Sequence, residues 1–277
     1  MRDDKFVMLQ ERRIVNSLVD ELTLFDDDLM SRVFDKNIEA AELILGIILG
    51  RSIKVIQVEG QDELKNHEVG GRNITLDVHA IDVDGEEIDI EVQGNSAGSN
   101  IRRARYHSSM VDTRMLGEGQ TFKQLKDSYV IFIYRHDKFR RGLPLYHIDR
   151  YVRETEELFE DGSHIIYVNG NYKGNDEIGQ LMSDFHQTDP ENIHYDVLAQ
   201  GVKHFKENEK GREQMCEAVE KYAKEYAKEY AKEYAVREKM IAIKNLMENM
   251  KLTLDQALNA LGIQGDERKL IISEWQK

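Results

Sequence analysis

The chain has 277 residues, 40% hydrophobic and 32% charged, with a formal net charge of −14 at pH 7. The acidic excess excludes a general nucleic-acid coat, because phosphate binding requires clustered Lys and Arg. A single cysteine, Cys216, excludes an intrachain disulfide framework and a zinc site built on cysteines. The N-terminus lacks the basic start and apolar run of a signal peptide. The longest apolar stretch, LILGIIL, is far shorter than a membrane span. We therefore expect a soluble, cytoplasmic protein with no membrane contact.

The first 170 residues predict an α-β-β-β-α-β order of elements. In chain order these are a helix over 29–49 preceded by Asp26–Asp28, a strand over 53–60, a hairpin over 76–93, a loop over 95–100, an arginine-rich helix over 101–116, and strands over 128–134 and 163–169. The strand over 128–134 is continuously apolar, which indicates burial on both faces. This order predicts an α/β fold with a mixed sheet flanked by helices.

The character of the chain changes near residue 190. We predict a domain over 1–189, with its core at about 24–170, and a helical C-terminal arm over 190–277. Within the arm, Tyr222, Tyr226, Tyr230 and Tyr234 recur every four residues in an AKEY repeat. Such a stripe drifts by about 40° per step around a helix, so it favours a solvated helical arm over a coiled-coil seam. Self-association through this arm stays open. Residues 252–276 predict two short helices broken at 262–265.

Charge is distributed unevenly along the chain. Residues 51–100 carry a net charge of −7, whereas residues 101–150 carry 11 basic and 5 acidic groups, a net charge of +6. One reading is a phosphate-binding surface next to an acidic hairpin. The other is chance clustering on a solvated surface.

The hairpin LDVHAIDVDGEEIDIEVQ has one register that separates apolar from polar residues. A three-residue loop, 83–85, places Leu76, Val78 and Ala80 opposite Val92, Ile90 and Ile88. The same register pairs Thr75, Asp77 and His79 with Gln93, Glu91 and Asp89 on the other face. Gly85 then ends the loop, where a left-handed conformation is needed.

This register sets Asp77 directly across from Glu91, and facing like charges destabilise a sheet. Full solvation, a raised pKa or a bound cation would each offset that repulsion. Two converging carboxylates suit Mg²⁺, which takes carboxylate, water and phosphate oxygens. The alternative is a wet outer sheet face with unrelated polar residues. We expect His79 to be a structural hydrogen-bonding residue, and Asp82, Asp84 and Glu86 to serve the turn.

Three segments together resemble the PD-(D/E)XK nuclease superfamily. They are FDDDLMSRVFDKNIEAAELILGIIL, LDVHAIDVDGEEIDIEVQ and RRARYHSSMVDTRMLGEGQTFKQLKDSYVIFIY. Between about Leu24 and Tyr134 the chain is most similar to the branch of recombination-promoting nucleases (Rpn) and PD-(D/E)XK family transposases. The Glu-x-Gln ending, the Arg and Tyr of the next helix and the Gly before the last strand carry this likeness.

The resemblance implies a restriction-endonuclease-like core with a long helical C-terminal extension. It also implies a DNA endonuclease or transposase-like activity that depends on Mg²⁺, with Mn²⁺ as a substitute, in DNA recombination or mobile-element biology. By position, Asp77 and Glu91 would be metal ligands, joined by the backbone carbonyl of Val92. Some members use an acid on the first helix. Glu42 and Glu39 are the candidates here, although each is more simply a helix-surface residue.

The position of Gln93 leaves the level of activity open. In the superfamily this position holds a lysine, whose ammonium group orients water and adds positive charge. An amide still holds water but brings no charge. A catalytically weak or inactive DNA-binding or assembly protein on a nuclease fold is therefore the alternative.

The helix after the hairpin carries the candidate DNA-binding residues. Arg102, Arg103 and Arg105 would neutralise backbone phosphates without reading sequence. Salt bridges from these arginines to the hairpin acids are the rival interpretation. Tyr106 would donate to a phosphate or pack in the interior, and we favour packing.

Overall fold

The structure, a computed structural model, describes residues 2–66, 70–94 and 101–275. For residues 2–11, 225–235, 266 and 274 it describes the backbone alone. The predicted loop over 95–100 therefore lies outside the described residues. The chain forms two compact units, Met1–Glu217 and Ala218–Lys277.

The helices and strands follow one another as a helical entry, a hairpin-rich core and a helical end. The helices are α1 (Arg2–Glu21), α2 (Asp27–Phe34), α3 (Ile38–Leu49), α4 (Ile101–Met115), α5 (Glu177–Phe185), α6 (Asp196–Glu207), α7 (Glu209–Met250), α8 (Leu254–Ala260) and α9 (Gly265–Trp275). The strands are β1 (Val55–Leu64), β2 (Ile74–Asp82), β3 (Glu87–Gln93), β4 (Ser128–Tyr134), β5 (Leu145–Ile148), β6 (Tyr151–Val152), β7 (Glu157–Leu158) and β8 (Ser163–Asn169).

The first unit is built on a mixed sheet with the strand order β1-β2-β3-β4-β8-β5. Strands β1, β2 and β3 form an antiparallel meander, β4 and β8 continue it in parallel, and β5 closes the far edge antiparallel to β8. Helix α4 is the crossover between parallel β3 and β4, as such a connection requires. The predicted α/β fold with a mixed sheet flanked by helices is confirmed.

The helix predicted over 29–49 is interrupted, which corrects the sequence interpretation. Helix α2 ends at Phe34 and α3 starts at Ile38. Between them Lys36 adopts a positive φ of 57°, and the Asn37 side chain caps α3 by accepting from the amide of Ala40. The carboxylate of Asp35 also accepts from the amide of Gly60 in β1. The apolar repeat runs through the break, so periodicity alone does not reveal it.

The predicted hairpin register is confirmed in the part of the hairpin next to the turn, and the predicted pairing of Asp77 with Glu91 lies beyond these pairs and stays a prediction. Val78 pairs with Ile90, His79 with Asp89, and Ala80 with Ile88. Gly85 ends the loop with φ 80°. Asp82 serves the turn, because its carboxylate accepts from the amides of Asp84 and Glu86.

The polar face of the hairpin is buried, so the alternative of a wet outer sheet face is wrong. Asp77 is 8% exposed, His79 1%, and Asp89 and Glu91 0%. Helix α4 packs on β3 and β4, where its Arg103 and His107 contact Glu91 and Asp89, and helix α2 packs on β2 and β3. The carboxyl groups therefore lie between a sheet and a helix, where charge is costly unless it is compensated.

The boundary between the compact units falls later than the predicted boundary at 189/190. Helix α6 packs against α2 and belongs to the first unit, as does the start of α7. The reason is a buried lysine, because Lys206 of α6 donates to the carbonyl oxygens of Asp20, Leu22 and Thr188. The strongly polar composition beyond 190 conceals this anchoring.

The second unit has an apolar core of its own. The residues of that core come from the end of α7, from α8, from the turn after α8 and from α9: Ile243, Ala257, Leu258, Ile263 and Ile271, with Trp275 packed against them. Helices α8 and α9 match the two predicted short helices. Tyr222 is exposed, and the side chains of Tyr226, Tyr230 and Tyr234 lie outside the described residues. Self-association through this arm stays a prediction.

Among the helices of the described residues, none has the length and apolar character that crossing a bilayer requires.

Candidate functional site

The carboxyl groups of Asp77 and Glu91 each accept a hydrogen bond from the backbone of the opposite strand, at the open end of the hairpin. The backbone amide of Asp77 donates to Glu91 Oε1 at 3.2 Å, and the amide of Val92 donates to Asp77 Oδ2 at 2.9 Å. These side-chain bonds lie just beyond Val78–Ile90, the backbone pair of the two strands that is farthest from the turn. The sequence-predicted acids are thus brought together, and each is held by the other strand's main chain.

Helix α4 supplies a cation to this pair. Arg103 donates through Nη2 to Glu91 Oε2, and its guanidinium lies 5.6 Å from the ring centroid of Phe132. Arg103 Nε also donates to His107 Nε2 at 3.3 Å. The rival interpretation of this arginine, a salt bridge to a hairpin acid, therefore describes its contacts in the structure.

Asp89 and His107 adjoin Glu91, and the sequence reasoning gave neither a role. His107 Nδ1 lies 2.8 Å from Asp89 Oδ2 and 3.7 Å from Glu91 Oε1. Asp89 Oδ1 is buried and has no hydrogen-bond partner among the residues that the structure describes. The sequence contains part of the signal that would have found them. Asp89 lies on the same face of β3 as Glu91, and His107 follows Arg103 by one helical turn.

Burial makes the carboxyl groups weak acids. Desolvation raises the pKa of Asp77 to about 6, with the charge of Asp27 adding to the rise. Desolvation, followed by repulsion from Asp89 and Asp77, raises the pKa of Glu91 well above its ordinary value. Desolvation likewise raises the pKa of Asp89, and it lowers the pKa of His107. The cluster therefore favours uncharged groups unless further positive charge arrives.

Gln93 follows Glu91 by two residues in a strand that pairs with β4 to its end, so it shares the face of the acids. Its side-chain Nε2 donates to the carbonyl oxygen of Val92 at 2.9 Å. The resemblance implies site roles for both the Gln93 side chain and the Val92 carbonyl, and the two groups are hydrogen-bonded to each other.

The first-helix acids have other positions. Glu42 accepts from the amide of Val55 and the ammonium of Lys54, at the start of β1. Val55 pairs with Asp82, which is five residues, or roughly 16 Å of strand, from Asp77. Glu39 is an exposed residue in the first turn of α3. The helix acid whose charge raises the pKa of Asp77 is instead Asp27, which lies on α2, a helix separate from α3.

His79 has the structural role expected of it. Its ring nitrogens lie 3.0 Å from Asp62 Oδ2 and 3.0 Å from Glu87 Oε2. Asp62 is also paired with Arg114 at the end of α4. These contacts tie the meander to α4 beside the carboxyl cluster.

The two other candidate DNA-binding arginines of α4 face elsewhere. Arg102 and Arg105 line a groove of about 440 Å³ together with Phe139, Arg150 and Tyr167. Tyr106 donates to the carbonyl of Arg72 and packs against the apolar cluster of Leu64, Ile74, Leu76, Met110 and Val111. The favoured interpretation of Tyr106, packing, agrees with these contacts.

The residues present fit a divalent cation. Three buried carboxyl groups, Asp77, Asp89 and Glu91, lie close together with one guanidinium paired to Glu91, and His107 has a lowered pKa. One carboxylate oxygen, Asp89 Oδ1, lacks a donor among the described residues. Carboxylate oxygens are hard ligands that suit Mg²⁺ and Mn²⁺.

A mixed sheet with an acidic hairpin at its centre and a covering helix defines a restriction-endonuclease-like core. The model of the PD-(D/E)XK nuclease family transposases matches residues 41–249, more than half of the chain. The chain therefore belongs to this family. Searches of curated proteins and of solved structures find no match.

Proposed function

We propose that the protein is a Mg²⁺-dependent DNA endonuclease that hydrolyses phosphodiester bonds in DNA recombination or mobile-element biology. The observation that carries this proposal is that Asp77 and Glu91 each accept a hydrogen bond from the backbone of the other strand, beside Arg103. The buried carboxyl groups around them outnumber the buried cations. Membership in the PD-(D/E)XK nuclease family transposases supports the same reaction class.

Asp77 and Glu91 would hold the metal ion, with the carbonyl of Val92 as a further ligand atom. Bound Mg²⁺ polarises a phosphate oxygen and lowers the pKa of a coordinated water. Asp77 and Glu91 would contribute carboxylate oxygens, and their bonds to backbone amides hold them in place before DNA arrives. Gln93 would hold the attacking water by hydrogen bonds, since its amide both donates and accepts.

The basic residues of α4 would bind the DNA backbone. Arg102 and Arg105 are exposed and line a groove with two aromatic rings, an arrangement suited to a nucleic-acid strand. Arg103 would shift from Glu91 to a phosphate when the metal binds, because the cation then neutralises the carboxylate. Tyr106 would keep its packing role.

The test is nicking of supercoiled plasmid in Mg²⁺ by the full chain. We expect Asp77→Asn and Glu91→Gln to lower the rate by at least about 100-fold, because each removes a metal ligand. Asp84→Asn is the matched control, an exposed turn carboxylate on the same hairpin, and it should nick at the parental rate. Circular dichroism checks folding. Parent protein that never nicks, or Asp77→Asn that nicks like the parent, would sink the proposal.

A second function has a specific observation in its favour. Glu91 Oε2 is already bonded to Arg103, and the Val92 carbonyl to Gln93, so protein groups satisfy two of the expected ligand atoms. A non-catalytic DNA-binding or assembly protein would retain such contacts. That function predicts salt-sensitive DNA binding with no metal requirement. Binding to labelled duplex DNA, with chelator and with Mg²⁺, separates it from the nuclease.

A further inference from the structure

We propose that Asp89, Glu91 and His107 form a second cation site, which binds a divalent transition-metal ion such as Zn²⁺ in preference to Mg²⁺. This inference rests on the proposed function only in sharing Glu91 with the Mg²⁺ site. The three residues converge from two elements, Asp89 and Glu91 from β3 and His107 from α4.

The geometry of the ligand atoms suits a small ion. One atom from each residue lies within 4.8 Å of the other two. His107 Nδ1 is 2.8 Å from Asp89 Oδ2 and 3.7 Å from Glu91 Oε1. Ligand bonds of about 2.0–2.2 Å in a tetrahedral zinc site put ligand atoms about 3.3–3.6 Å apart. The observed separations bracket that range, so small side-chain rotations complete the site.

An independent observation points to a missing positive group. Asp89 is fully buried, yet its Oδ1 has no hydrogen-bond partner within the described part of the chain. A buried carboxylate oxygen without a donor or cation is costly. His107 Nδ1 contacts the other oxygen of the same carboxylate, so the orphaned atom belongs to the ligand cluster itself.

The donor types decide which ion the site prefers. Mg²⁺ strongly favours oxygen and keeps much of its water, whereas an imidazole nitrogen suits zinc, copper, iron and nickel. A set of one nitrogen and two carboxylates that is closed to solvent therefore selects a transition metal. Asp77 offers oxygen donors alone, which leaves it to Mg²⁺.

Arg103 competes with the ion for the same atoms. It donates to Glu91 Oε2 and to His107 Nε2. A metal on Nδ1 moves the imidazole proton to Nε2, which can then no longer accept from Arg103. Metal binding therefore releases the arginine, and its removal should strengthen binding.

The test is isothermal titration of the full chain, freed of metal by chelator, with ZnCl₂ and separately with MgCl₂. We expect the parent to bind Zn²⁺ at least about 10-fold more tightly than Mg²⁺. His107→Gln and Asp89→Asn should each weaken Zn²⁺ binding at least about 10-fold, and Arg103→Met should strengthen it. Asp77→Asn should weaken Mg²⁺ binding and leave Zn²⁺ binding within about 3-fold. His147→Gln, at an exposed histidine, controls for surface binding.

Absence of Zn²⁺ binding, or Zn²⁺ binding unchanged in His107→Gln, would overturn the inference. If the variants fail to fold, diffraction from zinc-soaked crystals of the parent decides, through an anomalous peak between Asp89, Glu91 and His107 or its absence. Plasmid nicking is not part of this readout. A parent that binds Zn²⁺ without nicking overturns the proposed nuclease alone, and a parent that nicks in Mg²⁺ without binding Zn²⁺ overturns the second site alone.

Discussion

Asp77 is a carboxyl group placed inside the protein and held there by the amide of Val92. Its backbone amide in turn holds Glu91, so neither acid can leave without breaking a bond of the other strand. The hairpin thereby keeps two groups together that would separate in water. Folding of the sheet offsets the unfavourable free energy of holding the two acids close together in the interior. That unfavourable free energy appears as their raised pKa values.

The raised pKa of Asp77 predicts how stability depends on pH in chelator. Folding raises this pKa from 3.8 to about 6, mainly by desolvation, so the folded state binds the proton more tightly. The resulting stabilisation is present below the ordinary pKa and is lost as pH rises through about 6. Between pH 4 and pH 7 the parent should lose on the order of 2 kcal/mol relative to Asp77→Asn. Urea unfolding across this range measures the difference.

Parallel stability curves for the parent and Asp77→Asn would contradict that expectation. Asp84→Asn is a suitable control, because Asp84 is an exposed carboxylate at the turn of the same hairpin. Its removal should change the slope much less, since charges that are exposed to solvent contribute little.

At the scale of single residues, the sequence was sufficient for the hairpin and insufficient for its surroundings. Alternation and the need for a left-handed Gly85 determine one register, so Asp77 and Glu91 are predictable as neighbours. Asp89 and His107 are 18 residues apart, and their meeting depends on how α4 is rotated over the sheet. Asp27 resembled a helix-capping acid, and only the packing of α2 on β2 and β3 brings it near Asp77.

Among the elements, β1 and α2 meet so closely that one glycine is required between them. A Cβ atom on Gly60 would lie 2.3 Å from the carbonyl oxygen of Ser31. Gly60→Ala should therefore lower the free energy of unfolding by about 1–3 kcal/mol, because the helix and strand must separate. Denaturant midpoints measure the change.

Gly46→Ala is the matched comparison inside α3. Its added Cβ would meet the nearest atom, the Arg51 carbonyl oxygen, at 3.6 Å, an ordinary contact. Alanine is about 0.5–1 kcal/mol better than glycine in a helix interior, so this variant should be more stable than the parent. Equal effects from the two substitutions would contradict the close packing at Gly60.

The order of elements was predictable further than their boundaries. Strands over 128–134 and 163–169 match β4 and β8, because their apolar runs are unambiguous. The break at Lys36 was not predictable, since the apolar spacing continues on both sides of it. The short strands β5, β6 and β7 were not predicted either, because a strand of two to four residues is too short to show an alternation of apolar and polar residues.

For the whole molecule, the anchoring of α6 predicts where the chain can be shortened. A chain ending at Glu217 keeps Lys206 and the buried residues Leu198, Val202 and Met215. We expect it to unfold cooperatively. A chain ending at 189 loses these groups and leaves the carbonyls of Asp20 and Leu22 without their donor, so it should aggregate or unfold at lower denaturant.

Circular dichroism with urea, together with size-exclusion chromatography, distinguishes the two shortened chains. Equal stability of both would contradict the division at Glu217. Composition alone suggested a boundary near 190, because charged residues dominate from there on. The packing of α6 is a long-range property that composition does not carry.

Trp275, the only tryptophan of the chain, packs against the apolar core of the second unit. Its fluorescence therefore reports the melting of that small helical module. The first unit holds the carboxyl cluster and lacks this chromophore, so its loss of structure is silent at tryptophan wavelengths. Thermal unfolding monitored by tryptophan fluorescence follows the second unit of this protein. Calorimetry or backbone ellipticity is required to follow the unfolding of the first unit, which contains the carboxyl cluster.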